Sequence, residues 1–206
     1  MSHATDRTPG AQDWDARYGA AERVWSGRPN GALVAEVASL APGRALDVGC
    51  GEGADAVWLA RRGWRVTALD VSRVALDRAE QHAAAAGTAI TWVHAGLVEA
   101  GLPDGSFDLV SAQYPVLLKT PGQVAERALV DLVAPGGTLL VVHHAIEHAQ
   151  VHTGGFDPAL YALPADVAAL LDDGWRIDVD ERRLRSVSGG GGAHHVEDLV
   201  LRATRR

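Results

Sequence analysis

The stretch that most constrains this chain runs over residues 44–63 and reads RALDVGCGEGADAVWLARRG. Its apolar start, residues 45–48, is typical of a buried parallel strand. A helical pattern opens at about Asp55. Three glycines in alternate positions lie between the strand and the helix: Gly49, Gly51 and Gly53. A strand, a glycine turn and a helix in this order let a ligand approach bare backbone at the start of the helix.

The spacing of these glycines narrows the kind of ligand. A dinucleotide site has the spacing G-x-G-x-x-G, which leaves room for a pyrophosphate over the helix end. Here the glycines alternate, and Asp47 lies two residues before the first of them. This pattern resembles the class I methyltransferases, whose first motif is a strand ending in D-x-G-x-G-x-G. The resemblance implies S-adenosylmethionine as the cofactor, held by Asp47, Gly49, Gly51 and Gly53.

Helical and strand patterns alternate along most of the chain, which predicts a mostly parallel α/β sheet covered on both faces. Two final strands, near residues 175–187 and 194–203, are joined by a connection too short for a crossover helix. They must therefore be antiparallel to one another. The family resemblance covers roughly residues 30–205. It implies a Rossmann-like, doubly wound sheet of seven strands in the order 3-2-1-4-5-7-6, with the last strand antiparallel.

Short sequence signals predict where individual helices begin and end. Ser72 is a cap residue at the start of the helix after the second strand, and Gly87 can end that helix. Thr120-Pro121 has the form of a cap followed by proline at the first helical position, which predicts a helix from there to Val133. Residues 1–10 are expected to be disordered, and the remaining residues, 11–206, are expected to form a single methyltransferase domain.

Further cofactor contacts are expected at the carboxyl ends of the next strands, where open α/β sheets bind ligands. Asp70 ends the second strand and resembles the acid that accepts hydrogen bonds from the ribose hydroxyls, by its position and its spacing from the glycines. Methyltransferases of this type usually carry an Asp after the third strand to accept the adenine amino group, but this chain has Gly96. The backbone of Gly96 and Leu97 can still contact the adenine, and Glu99 can reach toward it. The predicted cofactor set also includes Val71 and Gln113.

An aromatic tract precedes the first strand. The pattern W-x-x-R-Y, beginning at Trp14, followed by W-S-G-R-P-N, beginning at Trp25, resembles the tellurite-resistance and thiopurine-type branch of these enzymes. In that branch the N-terminal segment closes over the cofactor, so residues 11–30 are predicted to form a lid. Trp25 then faces the sulfonium cation, since aromatic faces attract cations, and Arg17 pairs with the cofactor carboxylate. Alternatively, the aromatic side chains only attach this segment to the core.

The 9 histidines of the chain are unevenly placed. If the last strand lies antiparallel beside the fifth, six of them gather on the substrate side, together with Tyr114: His143, His144, His148, His152, His194 and His195. Three interpretations stay open. The histidines form a polar loop surface, or His143 or His144 acts as a general base beside Tyr114, or several of them bind a divalent metal. The predicted catalytic residues are His143, His144 and Tyr114, and no metal ligand is assigned.

The formal net charge of −7 disfavours nucleic acid as a partner. No apolar run has membrane-spanning length, and the single cysteine, Cys50, is typical of a reducing cytoplasm. We therefore expect a cytoplasmic methyltransferase acting on a small thiol, chalcogen or heterocycle. The alternatives are a metal-assisted O- or N-methyltransferase that uses the histidines, and a non-catalytic protein that binds S-adenosylmethionine. No sequence feature indicates the oligomeric state.

Overall fold

The computed structural model of the chain describes residues 10–145, 160–185 and 195–206. The predictions for residues 1–9 and for His148, His152 and His194 lie outside these described residues. Within them, no helix is long and apolar enough to cross a membrane. The strands are β1 (Arg44–Val48), β2 (Arg65–Asp70), β3 (Thr91–His94), β4 (Phe107–Gln113), β5 (Val133–His144), β6 (Trp175–Leu184) and β7 (Glu197–Arg205). The helices are α1 (Ala11–Gly19), α2 (Gly31–Val37), α3 (Ala54–Arg61), α4 (Arg73–Ala86), α5 (Val124–Asp131) and α6 (Pro164–Ala168).

All seven strands form one sheet in the order β3-β2-β1-β4-β5-β7-β6. The pairs from β3 through β5 are parallel, whereas β7 is antiparallel to both of its neighbours, β5 and β6. The predicted α/β fold, strand order and reversed last strand are therefore confirmed. Because β1 to β5 run in the same direction, their carboxyl ends meet at one edge of the sheet, which is where ligands bind in such folds.

Each face of the sheet is covered by its own apolar cluster. One cluster joins residues of α2 and α3 to the sheet, and Leu140 and Val142 of β5 belong to it. The other joins α5 and α6 to the opposite face, and Leu139 and Val141 of β5 belong to that one. Successive side chains of a strand point to opposite faces. The near-continuous apolar run in β5 therefore serves both clusters, as expected for a central strand of a covered sheet.

Two of the predicted helix boundaries are confirmed and two are wrong. The helix predicted to run to Val133 ends at Asp131, and Val133 begins β5. The Ser72 hydroxyl accepts a hydrogen bond from the backbone amide of Ala75 at 3.1 Å, and Gly87 ends α4 in the left-handed conformation. The predicted helix start at residues 120–121 is incorrect, because α5 begins at Val124. Gly122 has φ +85°, which no α-helix contains. Thr120 still caps the helix at a distance, since its hydroxyl accepts a 3.2 Å hydrogen bond from the amide of Val124.

Candidate active site

The three glycines of the motif form a loop between β1 and α3. All three have positive φ: Gly49 +68°, Gly51 +52° and Gly53 +79°. The amide of Gly51 donates to a carboxylate oxygen of Asp70 at 2.8 Å, which fixes the loop to the end of β2. A methyl group on Gly53 would lie only 2.8 Å from Cβ of Ala79 on α4. The sequence therefore needs glycine here for both its backbone conformation and its close packing.

Three buried carboxylates surround this loop: Asp47, Asp55 and Asp70. Burial raises the pKa of each of them, and the charges of Asp55 and Asp70 raise the pKa of Asp47 further. Asp55 accepts two 2.7 Å hydrogen bonds from Asn30, and Asp70 accepts a 2.9 Å bond from the amide of Ser72. Carboxylates crowded in a poorly solvated place favour a bound cation, because a cation relieves their mutual repulsion.

The predicted residues beyond the loop come together at the ends of β2 and β3. Asp70 lies opposite His94 in the sheet register, and the His94 ring lies 3.0 Å from the Val71 carbonyl oxygen. Gly96 follows β3, and a methyl group placed on it would lie 3.7 Å from Cγ1 of Val71. Leu97 beside it is buried. His94 and Gly96 therefore lie close to Val71, the residue after Asp70, and the role of these residues in binding a cofactor stays a prediction.

The segment before β1 is fastened to the glycine loop by a residue of the loop itself. Glu52 accepts hydrogen bonds from the amides of Val24, at 3.2 Å, and Trp25, at 3.0 Å. Arg78 of α4 forms a 2.9 Å ion pair with Glu52 and also donates to the carbonyl oxygen of Tyr18 at 2.8 Å. Sequence reasoning did not identify this pair. The signal in the sequence was Glu52, which lies between Gly51 and Gly53, because a partly buried carboxylate there needs a cation such as Arg78.

Aromatic side chains of this segment lie directly on the loop. The indole nitrogen of Trp25 donates to the hydroxyl of Tyr18 at 2.9 Å, and a methyl group on Gly51 would lie 2.9 Å from that hydroxyl. Arg17, predicted to bind the cofactor carboxylate, lies on the outside, with its guanidinium 5.2 Å from the ring centres of both Trp14 and Trp25. The pair next to the loop is therefore Tyr18 with Trp25.

A second group of polar side chains lies past the end of β4. Tyr114 has φ +53°, an uncommon conformation for a residue other than glycine. Its hydroxyl donates to Oδ2 of Asp198 at 2.9 Å, and its ring stacks on His144 with centroids 4.2 Å apart. Backbone strain of this kind costs about 1–3 kcal/mol and is concentrated at functional sites. Tyr114 is therefore held where surrounding contacts, rather than local preference, determine its position.

Asp198 is the centre of this group. It pairs with His144 in the register of β5 and β7, and its Oδ1 lies 3.6 Å from Nδ1 of His144 and 3.1 Å from Nε of Arg185. Arg185 also lies over the Tyr114 ring, 4.9 Å from its centre, and His195 stacks on His144 with centroids 3.9 Å apart. We call Tyr114, His144, Arg185, His195 and Asp198 the Asp198 cluster.

The histidines that the sequence placed together divide between the two faces of the sheet. His144 lies on the face of α2 and α3, with Asp198. The next residue back, His143, is buried on the opposite face, and burial lowers its pKa. Its Nδ1 lies 3.2 Å from the carbonyl oxygen of His144. Within residues 10–145, 160–185 and 195–206, no group of three or more His, Cys, Asp or Glu side chains is placed to hold a metal ion.

Sequence reasoning missed Asp198 and Arg185. No motif marks either residue, and Asp198 lies 84 positions from Tyr114 in the chain. The only signal was the register of the last strand. The antiparallel pairing of β7 with β5 was predicted, but its residue register, which places Asp198 opposite His144, was not.

Comparisons with known proteins match the part of the chain that contains the glycine loop. Residues 45–137 match the family model described as a methyltransferase domain. An uncharacterized methyltransferase of Mycobacterium tuberculosis is 43% identical over 97 residues, which cover 47% of this chain and 48% of that protein. A ubiquinone biosynthesis O-methyltransferase of Ralstonia nicotianae is 38% identical over 135 residues, which cover 64% of this chain and 56% of that protein. The chain thus spans about half the length of the curated relatives it matches.

Solved structures show the same fold over nearly the whole chain. The N-methyltransferase NodS of Bradyrhizobium japonicum, in complex with S-adenosyl-L-homocysteine, has a TM-score of 0.70 at 22% identity, covering 95% of this chain and 97% of NodS. A second solved structure has a TM-score of 0.75 at 24% identity and covers 95% of this chain and 92% of its own. It concerns the conversion of a disulfide bond into a thioacetal group during echinomycin biosynthesis. The family model thus supports a methyltransferase domain over residues 45–137, and the solved structures show the fold alone.

Two buried oxygen atoms test whether the residues beside the glycine loop fit S-adenosylmethionine as a cofactor. Among the described residues, Oδ2 of Asp47 and Oε1 of Gln113 have no hydrogen-bond partner. They lie on the neighbouring strands β1 and β4, where Asp47 pairs in register with Ser111, the residue to which the Gln113 amide donates at 3.0 Å. A buried acceptor without a donor costs about 1–3 kcal/mol. The cofactor carries an ammonium group that supplies such donors, so S-adenosylmethionine fits this edge.

Proposed function

We propose that this protein transfers the methyl group of S-adenosylmethionine to a small-molecule nucleophile. The observation that carries the proposal is the position of the Asp198 cluster directly beside the cofactor residues. Gln113, at the end of β4, is followed immediately by Tyr114, whose hydroxyl bonds to Asp198. We call the side of the sheet that carries Asp47, the glycine loop, Asp70 and Gln113 the cofactor edge. It adjoins the Asp198 cluster along the carboxyl ends of β4 and β5.

In this proposal, the residues of the cofactor edge bind and orient S-adenosylmethionine. Asp47 and Gln113 offer acceptors to the ammonium group, the glycine loop offers bare backbone, and Asp70 offers its carboxylate to the ribose hydroxyls. When bound, the cofactor supplies an electrophilic methyl group on a sulfonium. Because the displacement needs an in-line arrangement more than it needs acid or base chemistry, positioning of the reactants can supply about 7–11 kcal/mol of the barrier reduction.

Residues 11–30 serve as the lid of this site in our proposal. The Tyr18–Trp25 pair lies against Gly51, and both rings offer π faces that attract a sulfonium cation. Their attachment through Glu52 and Arg78 orders the segment on the side of the glycine loop. The alternative, that the aromatic side chains only fasten the segment to the core, predicts no loss of cofactor affinity when Trp25 is replaced by Leu.

A thiol, chalcogen or heterocycle is the acceptor class that the lid motif favours, through its resemblance to the tellurite and thiopurine branch. A thiolate or a related anion is already a strong nucleophile at neutral pH and needs no general base. In that case the Asp198 cluster acts as a wall of the acceptor pocket. The stacked rings of Tyr114, His144 and His195 would then hold a flat acceptor by stacking.

A phenol or amine acceptor is the second candidate, favoured by the 3.6 Å approach of Asp198 to Nδ1 of His144. This distance is longer than a hydrogen bond, so the carboxylate acts on the ring through its negative charge, which favours an imidazole that takes a proton. Tyr114 is less suited to that role, because burial and the neighbouring Asp198 raise its pKa and keep the phenol protonated. The Ralstonia relative, named as an O-methyltransferase, is consistent with this candidate.

The test measures S-adenosylhomocysteine formation over a panel of thiols, phenols and N-heterocycles, with and without a chelator, for the natural chain and for His144→Gln. Turnover on thiols that is unaffected by His144→Gln supports the first acceptor class. Turnover on phenols that falls about 100-fold in His144→Gln supports the second. Loss of turnover with chelator would indicate a metal-assisted reaction. Binding of cofactor without any turnover on the panel would contradict the proposed transfer and favour a cofactor-binding protein.

A further inference from the structure

The amino-terminal end of α4 is capped twice, once by its own cap residue and once by a carboxylate from α1. The Ser72 hydroxyl accepts a hydrogen bond from the amide of Ala75 at 3.1 Å. Oδ1 of Asp15 accepts from the amide of Val74 at 3.1 Å and from the Ser72 hydroxyl at 2.6 Å. The first amides of a helix lack partners within it and carry partial positive charge. A carboxylate therefore attaches α1 to α4 where the helix favours a negative charge.

The contact with Asp15 determines how the Ser72 hydroxyl is used. A hydroxyl has one proton to donate, and because Asp15 accepts it, a lone pair is left for the amide of Ala75. The same hydrogen bond holds the pKa of Asp15 below its ordinary value, so this carboxylate is charged at neutral pH. Ser72 is fully buried, and its hydroxyl therefore depends on these partners for its orientation.

Ser72 also holds the acid at the end of β2. Its backbone amide donates to Oδ1 of Asp70 at 2.9 Å, while the amide of Gly51 donates to Oδ2 at 2.8 Å. The Asp70 carboxylate is thus aimed by the glycine loop on one side and by the turn into α4 on the other. A displacement of Ser72 would move one of the two amides that set its direction.

We propose that Asp15 is a positioning residue of the cofactor edge, which fixes the Asp70 carboxylate through Ser72 and makes recognition of the ribose hydroxyls depend on the attachment of α1. The inference rests on the proposed function, in which Asp70 accepts hydrogen bonds from those hydroxyls. Asp15 acts without touching the ligand, because its Oδ1 already accepts from two donors of α4 and its turn.

Titration calorimetry with S-adenosylhomocysteine and with its dideoxy analogue, which lacks both ribose hydroxyls, tests the proposal. The readout is the ratio of the two affinities, since the proposed contact to Asp70 is what distinguishes the two ligands. Asp15→Ala is expected to lower this ratio about fivefold, as for a typical coupling between two sites. Asp13→Ala is the matched control. It removes an acid of the same helix, whose Oδ2 accepts from the amide of Gly10 at 2.7 Å, and is expected to leave the ratio unchanged.

A second substitution of Asp15 separates positioning from a general loosening of α1. Asp15→Asn keeps an oxygen that can accept from both Ser72 and Val74, and is expected to retain most of the ratio. Thermal unfolding of each variant establishes that it is folded. If Asp15→Ala lowers both affinities by the same factor, so that the ratio is unchanged, Asp15 only fastens α1 and the proposal is overturned.

Asp70→Ala connects the inference to the assigned role of Asp70. It is expected to remove the preference for the ligand with hydroxyls, and Asp15→Ala should have no further effect on the ratio in that background. An intact ratio in Asp70→Ala would overturn the inference together with the assigned ribose contact. Loss of the ratio in Asp70→Ala beside an unchanged ratio in Asp15→Ala would overturn the inference alone, and the proposed methyl transfer, which turnover tests, would stand.

Discussion

The cofactor edge and the Asp198 cluster lie side by side at one end of the sheet, yet the chain builds them in different ways. The cofactor edge takes its carboxylates from a short stretch of the chain, with Asp47 and Asp70 on the adjacent strands β1 and β2. The Asp198 cluster joins Tyr114 to a residue 84 positions further along the chain. A local motif fixes the first region, whereas the second exists only after β7 has paired with β5.

The two regions also differ in how their charges are balanced. The charges of Asp55 and Asp70 raise the pKa of Asp47, and burial raises the pKa of all three carboxyl groups, so this region favours a bound cation. Asp198 already has Arg185 at 3.1 Å and the Tyr114 hydroxyl at 2.9 Å. The cofactor edge therefore gains from binding a positively charged ligand, and the Asp198 cluster is internally neutralised.

The largest expected effect on stability comes from the Asp198 cluster. Asp198→Asn removes the charge that balances Arg185, whose side chain is only 5% exposed. We expect the free energy of unfolding to fall by about 3 kcal/mol, because a buried cation loses its counter-charge. Urea unfolding measures the change. Tyr114→Phe, which removes one hydrogen bond to the same carboxylate, should cost about 1 kcal/mol. Equal stability of Asp198→Asn and the natural chain would show that the cluster is not internally neutralised.

The glycine loop gives the next largest effect. Gly53→Ala adds a methyl group 2.8 Å from Cβ of Ala79 at a position with φ +79°. The strained backbone and the overpacking together should cost about 2–3 kcal/mol. Gly87→Ala is the matched control, since its φ is +66° and nothing lies within 4 Å of the added methyl group, and it should cost about 1 kcal/mol. Thermal or urea unfolding compares them, and equal losses would mean that close packing does not select glycine at position 53.

The fold could be predicted because its signals are local, and the cofactor-binding residues stay a prediction. Alternating strands and helices fixed the parallel sheet, and the glycine spacing with Asp47 and Asp70 indicated the cofactor. The helix start near Thr120 was misplaced because the Thr-Pro signal does not reveal the left-handed turn at Gly122. Asp198 and Arg185 were missed since they belong to the site only through strand pairing. The division of His143 and His144 between the two faces could have been predicted, because successive side chains of a strand point to opposite faces.

A smaller effect is expected where residues 11–30 meet the glycine loop. Arg78→Met removes the ion pair with Glu52 and the hydrogen bond to the carbonyl oxygen of Tyr18. The loss in stability should be about 1 kcal/mol, and amide hydrogen exchange of residues 18–25 should accelerate. Arg73→Met on the same helix, which breaks only exposed ion pairs, should change stability by less than about 0.5 kcal/mol. Unchanged exchange in Arg78→Met would contradict the assigned role of this pair.

The smallest expected effect is a pH dependence from His143. Burial lowers its pKa below the ordinary value of 6.5. At a pH between the lowered pKa and 6.5, the imidazole is therefore mostly neutral in the folded chain and mostly protonated in the unfolded chain. The unfolded state then binds more protons, and the contribution of His143 to stability is complete above pH 6.5 and declines as the pH falls from there toward the lowered pKa. Urea unfolding from pH 7.5 to 5 should show a smaller decline in His143→Gln. His82→Gln on α4 is the control, and an identical decline in His143→Gln and the natural chain would refute the effect.

The separation of the two regions is tested most directly by the affinity for S-adenosylhomocysteine of Asp47→Asn and Asp198→Asn, measured by titration calorimetry on folded protein. Asp47→Asn should bind about tenfold more weakly, since it removes the carboxylate that we propose accepts a hydrogen bond from the ammonium group. Asp198→Asn should bind within about twofold of the natural chain, because its partners are Tyr114, His144 and Arg185 rather than cofactor residues. An equal loss in both variants, or a loss in Asp198→Asn alone, would contradict the division of the site into a cofactor edge and an acceptor cluster.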